Sequence, residues 1–377
     1  MAVAARANMK PSEDRRIVMT LDGGGTSFRF SALCGNKPIT KTVTLPSNGD
    51  DLKKCLANIV EGFTLIRAQC PVMPSAISFA FPGPADYPQG IIGDLANLPA
   101  FRGGIALGPM LEDIFAIPVF INNDGDLFAY GEAISGFLPY INGLLERSGS
   151  AKRYKNLAGF TFGTGFGCGI TIDGQLLSGD NSISGEVWLL RNKLQPEMNA
   201  EEGASSRAVQ RVYAEIAGIR FDASPEPKAI YDIGMGKQPG DAGAALEAFR
   251  RLGEVAGDAL ASLLTLIDGL AVIGGGIAAA WPLFLPALVL EINGSYTDLQ
   301  GRRFRRLASA AFNLEDPEQL EVFLRGEIRR IRVPNSEKEI EYDPMQRIGV
   351  GISRLGTSEA VAIGAYAFAL NQLDNRY

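Results

Sequence analysis

The sequence predicts an α/β protein of two lobes, on three observations. Its 377 residues exceed what one hydrophobic core usually supports, so two lobes with a cleft between them are expected. Short apolar runs of strand character alternate with segments of helical periodicity, the order that builds sheets covered by helices. Three glycine clusters each follow such a run: Gly23-Gly24-Gly25, Gly163-Thr164-Gly165-Phe166-Gly167 and Gly274-Gly275-Gly276.

Composition narrows the function classes. A hydrophobic content of 46% with 21% charged residues is ordinary for a globular protein, and a net charge of −6 argues against a general nucleic-acid or anionic-membrane binder. Cys34, Cys55, Cys70 and Cys168 form no Cys-x-x-Cys pair, and with no histidine in the chain a His-ligated zinc or iron site is ruled out. Met1 to Arg16 lacks the apolar centre of an export signal, and no run is long enough to span a bilayer. A cytoplasmic protein with no membrane partner is expected.

Residues 1–16 are polar, charged and aperiodic, and read as a disordered leader. Ile17 to Leu21 reads as a strand running into Asp22-Gly23-Gly24-Gly25-Thr26, with Phe28 to Leu33 as its hairpin partner. Such a loop can offer backbone N–H groups and a hydroxyl to phosphates, and the Asp22 carboxylate to a hydrated Mg²⁺; a plain glycine-rich hairpin is the alternative. Asp51 to Ala68 has helical spacing, Ala76 to Phe81 returns to strand character, and Pro82-Gly83-Pro84 stops it. A loop-rich passage from Asp94 to Gly103, containing Asn97, is of the kind that positions polar groups over a cleft. Leu107 to Phe115 is a helix leading to the strand Ile117 to Ile121, whose end is Asn122-Asn123-Asp124-Gly125-Asp126. Asn and Asp also suit a self-bonded turn, so this segment alone leaves a structural role open. Leu127 to Ile134 is the helix that leaves it.

The second glycine cluster has glycines at every second position and continues as strand Ile170-Thr171-Ile172 into an Asp173-Gly174 hairpin. That spacing excludes a dinucleotide fingerprint, and neither of the first two clusters has the Gly-Lys-Ser/Thr ending of a Walker loop. A polar loop from Gly179 ends at Glu186, and Glu201 precedes a helix carrying Val209, Val212 and Ile216; placement for the helix dipole is the simpler role for Glu201. Ala244 to Ile267 is the longest helical pattern, and it runs into the strand and turn Ala271-Val272-Ile273-Gly274-Gly275-Gly276, whose side-chain-free backbone can lie against a planar ring. From 296 to 346 arginines cluster, yet Glu315, Glu318, Glu321, Glu327, Glu337, Glu339 and Glu341 interleave, so a solvated or subunit-contact insertion is expected rather than a nucleic-acid site. Gly356-Thr357-Ser358-Glu359 opens a closing Ala-rich helix through Leu370.

Taken in order, these pieces resemble the ROK family of sugar kinases and repressors, within the actin-like ATPase superfamily. The resemblance rests on Leu21 to Thr26, Phe81 to Pro84, Asn97-Leu98-Pro99, Asn122 to Asp124, Gly163 to Gly167, Gly185-Glu186, Glu201 with Ala204-Ser205, Ile273 to Gly276 and Leu355-Gly356, so it spans the chain from about Ile17 to Leu370. It implies two actin-like, ribonuclease H-like lobes around an ATP and sugar cleft: residues 17–135 with sugar-binding loops and the catalytic aspartate, and 136–370 with the nucleotide loops, followed by a tail over 371–377. It implies ATP and Mg²⁺ as cofactors, a small-molecule sugar as partner, and transfer of the γ-phosphoryl group to a sugar hydroxyl, with a homodimer as an option. By position, Asp124 is the implied base, and Asn97, Asn123, Glu186 and Glu201 join it at the sugar. Asp22, Gly24, Gly25 and Thr26, with Gly163, Thr164 and Gly165, are implied at Mg²⁺ and phosphate, and Gly275 and Gly276 at the nucleoside. Asp126 is left as a helix-start residue.

Two departures stand out. Many family members carry a histidine three residues after the glutamate matching Glu186, followed by a Cys-rich zinc loop; here that position is Leu189 and the loop has no cysteine. No zinc is expected, and Trp188 is the neighbouring donor with an apolar face suited to sugar C–H surfaces. A lost sugar ligand suggests a changed substrate, such as an N-acetylated hexose. The alternatives to a hexose or amino-sugar kinase are a catalytically inactive sugar sensor and an ATPase acting on a non-sugar substrate. The family's repressors carry an N-terminal helix-turn-helix, for which the sixteen residues before the first strand leave no room.

Overall fold

The computed structural model describes residues 10–23, 26–95 and 98–375. Two compact units emerge: the first comprises residues 1–136, 174–184 and 355–377, the second 137–173 and 185–354.

In the first unit, β1 (Val18–Gly23) and β2 (Ser27–Cys34) form a hairpin, followed by the short β3 (Lys37–Pro38) and β4 (Val43–Pro46), helix α1 (Leu52–Arg67) and β5 (Ala76–Ala80). A small sheet of β6 (Ala85–Asp86), β7 (Ile91–Ile92) and β8 (Ile105–Ala106) precedes α2 (Leu107–Phe115), β9 (Val119–Asn122) and α3 (Asp124–Ile134). The main sheet has the order β3-β2-β1-β5-β9, with β4 also on β2 and with β5 parallel to both neighbours. Every residue of β5 is buried, as a strand covered on both faces requires. One face packs Met19, Leu21, Phe30 and Phe79 against Ile59 and Phe63 of α1, and the other packs Val18, Leu33 and Phe120 against Ile363, Tyr366 and Leu370 of the closing helix. That second face is why residues 355–377 return to the first unit instead of staying with the chain that precedes them.

The segment 10–16 departs from the disordered leader expected over 1–16. Pro11–Glu13 is a 3₁₀ turn, Asp14 is buried, and the Arg16 guanidinium bridges Asp14 to Asp374 at 2.7 and 2.6 Å. The Tyr366 hydroxyl adds bonds to the Asp14 and Arg16 carbonyls. Polar composition concealed these anchors, because their partners lie some 350 positions away in sequence. Residues 1–9 lie outside the described part.

The second unit begins with α4 (Phe137–Arg147), β10 (Leu157–Phe162) and β11 (Phe166–Ile172). At its end Asp173 and Gly174 have φ of 50° and 78°, the two positive values a type I′ turn needs, ahead of β12 (Gln175–Leu176) in the segment counted to the first unit. Then come α5 (Ser206–Ala217), α6 (Pro227–Gly234), α7 (Ala242–Ile267), β13 (Leu270–Gly274) and α8 (Trp281–Ile292). The remaining elements are β14 (Ser295–Thr297), β15 (Arg303–Arg305), β16 (Ala310–Asn313), α9 (Pro317–Arg325), β17 (Arg329–Arg332), β18 (Glu339–Tyr342) and β19 (Arg347–Ile352), before α10 (Thr357–Asn375) closes the chain. Within this unit the sheet order is β11-β10-β13-β19-β16, parallel from β10 onward. Helix α7 buries the apolar stripe of Phe249, Leu252, Val255 and Leu260, with Leu246 left 46% exposed at its margin.

The stretch 296–346 is more than an insertion. Ala310–Asn313 is the edge strand of the main sheet, and Phe323 of α9 is fully buried. Only the hairpins β14–β15 and β17–β18 are exposed along both strands. Their arginines are matched by the interleaved acids, Arg302 to Asp298 at 2.7 Å and Arg330 to Glu341 at 2.7 Å, while Arg306 bonds Glu291 at 2.8 Å. Arg302 and Arg330 are exposed, whereas Arg306 is nearly buried. Among the described residues no helix is long and apolar enough to cross a membrane.

The α3–α10 crossing depends on two glycines. A Cβ at Gly131 would overlap the Ala360 carbonyl, and one at Gly364 the Leu127 carbonyl, so the helices touch backbone to backbone. Gly364→Ala is expected to cost about 1–3 kcal/mol by overpacking, read as a lowered thermal midpoint; an unchanged midpoint would show that the crossing can relax.

Candidate active site

Because β1, β5 and β9 run parallel, their carboxyl ends share one edge of the first unit's sheet, where ligands of α/β folds bind. Asp22 is the last residue but one of β1, Phe81-Pro82-Gly83 follows β5, and Asn122 ends β9 with Asn123-Asp124 directly after it. The Phe81 N–H donates to the Asn122 carbonyl at 2.9 Å, which ties two of these turns together. Asn122 is buried and its Oδ1 accepts the Asn123 N–H at 2.8 Å. Asn123 caps α3, its Oδ1 accepting the Gly125 N–H at 2.7 Å.

Asp124 is therefore the first helical residue, with its side chain open to solvent and its Oδ1 accepting the Gly125 N–H at 2.9 Å. Desolvation by the surrounding protein pushes its pKa above the ordinary aspartate value, opposed by the Gly125 N–H and its own. A carboxylate that is exposed yet raised is suited to accept a proton. Asp126 sits in the same first turn but is buried, in keeping with a helix-start role. Asp22 and Thr26 are exposed, and Asp22 stands opposite Arg29 across the β1–β2 ladder. Gly24, Gly25 and Asn97 lie outside the described residues.

In the second unit the carboxyl ends of β10 and β13 are likewise adjacent. The turn Gly163-Thr164-Gly165 is closed by the Gly163 N–H on the Gly165 carbonyl at 3.0 Å, and the first residue of α5 secures it, Ser206 donating both N–H and Oγ to the Gly163 carbonyl at 2.8 and 2.9 Å. Gly275 has φ of 92°, and a Cβ there would overlap the Phe162 backbone, so the β13 turn lies directly on the start of the β10 turn. A Cβ at Gly163 or Gly276 would meet nothing within 4 Å. The structure thus places the turns carrying Gly163, Thr164, Gly165, Gly275 and Gly276 side by side.

Glu186 is exposed, and the Trp188 indole N–H donates to its carboxylate, so the donor expected to be available near Leu189 is already engaged. Leu189 is 60% exposed. The loop after Leu189 is organised by Asn192, which sequence reasoning missed: it is buried, and its Oδ1 accepts the N–H groups of Leu194 and Gln195 at 2.9 and 3.1 Å. A bridge between Arg191 and Asn199 closes the loop. Among the described residues no group of three or more His, Cys, Asp or Glu side chains could hold a metal ion.

The ROK family model matches residues 18–298 of the chain. A glucokinase from Parabacteroides distasonis is 55% identical in sequence, with 96% of this chain and 99% of that one covered at a TM-score of 0.87. An N-acetyl-D-glucosamine kinase from Aliivibrio salmonicida is 27% identical over 275 residues, covering 68% of this chain and 83% of the relative. A ROK family glucokinase from Streptomyces griseus, solved in complex with glucose and AMPPNP, shares the fold at 19% identity and a TM-score of 0.59 over 94% of this chain and 99% of that one.

Glu201 stands apart from the other implied sugar ligands. It is held in the 3₁₀ turn Ala200–Glu202 capped by Asn199, and its Oε2 accepts the Phe166 N–H at 3.1 Å, directly under the glycine turn. A Cβ at Gly165 would come within 2.8 Å of that same oxygen. The carboxylate thus braces the turn whatever else it binds. A hydrogen bond to a charged acceptor contributes about 1.5–3 kcal/mol, so Glu201→Ala is expected to speed hydrogen exchange at the Phe166 amide roughly tenfold or more; unchanged exchange would show that the brace is dispensable.

Proposed function

The chain belongs to the ROK family, and we propose that it is an ATP-dependent kinase transferring the γ-phosphoryl group of ATP to a hydroxyl of a hexose, with Asp124 as the base. The observation that carries this reading is the Asp124 carboxyl itself: open to solvent, raised in pKa, and held at a carboxyl strand end by the Asn123 cap. Phosphoryl transfer needs little covalent help from the protein. It needs the attacking hydroxyl aligned and its proton accepted as the new bond forms. Asp124 would orient that hydroxyl and take the proton, while Asn123 and Asn97, together with Glu186 and Glu201, would hold the remaining hydroxyls.

The nucleotide is assigned to the second unit's glycine turns. The open space at Gly163 and Gly276, and the contact of Gly275 with the Phe162 backbone, leave side-chain-free surface suited to phosphate and ring. Thr164 and Gly165 complete the first of those turns. In the first unit Asp22 and Thr26, with Gly24 and Gly25, are assigned to phosphate and Mg²⁺. An exposed single carboxylate suits Mg²⁺, which keeps most of its waters and takes one or two carboxylates plus phosphate oxygens. When bound, the ion would neutralise charge on the phosphates. The cytoplasm is the compartment that supplies ATP, and a homodimer is compatible with this reading.

Among sugars, glucose comes first, because the relative with 55% identity is called a glucokinase, and N-acetylglucosamine second. The exposed Leu189, with Trp188 committed to Glu186, leaves the sugar site one polar partner short of the family pattern.

Asp124→Asn is expected to lower kcat by about 10²–10⁴-fold, the usual contribution of a general base, while sugar binding by calorimetry persists. In the wild type the base acts as the carboxylate, so kcat/KM for the sugar rises with pH through a value above the ordinary aspartate pKa. The sign for stability is opposite to that of a salt-bridged aspartate: a raised folded pKa favours the fold at low pH and disfavours it as pH climbs. Asp124→Asn should therefore melt no lower than wild type at pH 7. Undiminished kcat in Asp124→Asn would remove the assignment of the base.

A further inference from the structure

A cavity lies within the first unit, on the opposite side of β9 from the α1–α2 layer. It is an open cleft of about 290 Å³, just under the roughly 300–1,000 Å³ typical of small-molecule sites. Its apolar walls are Tyr87, Phe120, Tyr130 and Phe368. Its polar lining is Asn122, Gln175, Ser178, Ser182, Asn371 and Gln372, and no charged residue contributes.

The polar groups divide into those already engaged and those left over. Asn371 bonds the Tyr130 hydroxyl and donates to Gln175 Oε1 at 3.1 Å, and Tyr87 donates to the Phe81 carbonyl at 2.9 Å, so these side chains are held in place. Asn122 is only 3% exposed, and its Oδ1 is occupied by the Asn123 N–H, but its Nδ2 donates to no group among the described residues. An amide donor that bonds no protein group at a cavity wall is available to a ligand or a water. Ser178 Oγ, Ser182 Oγ and the Gln372 amide likewise bond no described group, and all three line the same space. Neutral donors and acceptors around aromatic faces are the chemistry that recognises a polyhydroxylated ring, whose C–H surface lies on an aromatic face while its hydroxyls meet amides. A phosphate or nucleotide finds no cation here.

We infer that this cavity is a second binding site for an uncharged monosaccharide, separate from the site at Asp124. It is linked to the turn at Asp124 through one residue: Asn122 lines the cavity while its Oδ1 holds the Asn123 amide, and Asn123 caps the helix that begins at Asp124.

The test is calorimetric titration of the full chain, without nucleotide, with glucose and separately with N-acetylglucosamine, on wild type, Ser178→Trp and Gln372→Ala. Ser178→Trp fills the cavity, and Gln372→Ala removes one amide without adding bulk, so one variant remains informative if the other misfolds. The expected result for at least one sugar is two binding events in wild type, the weaker with a Kd on the order of 1 mM. That event is absent in Ser178→Trp and weakened severalfold in Gln372→Ala, with the tighter event unchanged in both. A single event of unit stoichiometry for both sugars overturns the inference. So does a second event that persists unaltered in the two variants.

Discussion

Parallel pairing of β5 with β1 on one side and β9 on the other is the constraint on which the candidate site depends. Parallel strands place their carboxyl ends on one edge, and the turns that leave that edge carry Asp22, Pro82 and Asp124. The bond from the Phe81 N–H to the Asn122 carbonyl extends the ladder one residue past the strand, so the turn that leads to Asp124 starts from a fixed backbone position. From there the Asn123 cap sets the first turn of α3, and Asp124 follows from it. The second unit repeats the device, with the β10 and β13 turns in backbone contact at Phe162 and Gly275.

Energetically the two edges differ. At the first, protein packed around the Asp124 carboxyl, which still reaches solvent, raises its proton affinity. The second is built from backbone alone, and its geometry is stabilised from beneath by Glu201 and Ser206 instead of by side chains facing the ligand. A carboxylate at Glu201 that serves the glycine turn and also contacts a sugar would couple nucleotide and sugar binding. That offers a physical reason for an acid at a position where helix-dipole placement had seemed sufficient.

What could be read in the sequence were features whose cause is local. At Gly275 a side chain has no room against the Phe162 backbone and at Gly165 it would press on the Glu201 carboxylate, and Asn-Asn-Asp after an apolar run marks a strand end leading into a capped helix. Hidden features depend on partners far along the chain. The anchor of Asp14 and Arg16 on α10 joins residues at opposite ends of the sequence. Ala310–Asn313 has too little character to announce an edge strand, and its arginine-rich surroundings disguised it as part of an insertion. Asn192 gave no signal because a buried asparagine in a loop looks like any polar loop residue until its two bonds are seen. The pairing of Trp188 with Glu186 was within reach, since the two lie two positions apart, but only the 3₁₀ turn at Val187–Leu189 brings them together.

The central claim is that a sugar hydroxyl is activated by Asp124, and the distance between the two tests it most directly. A crystal structure of the chain with glucose and AMPPNP should place one glucose hydroxyl about 2.6–3.2 Å from an Asp124 carboxylate oxygen, with the phosphates against the Gly163 to Gly165 turn. Glucose bound in good density with every hydroxyl beyond that reach would contradict the account.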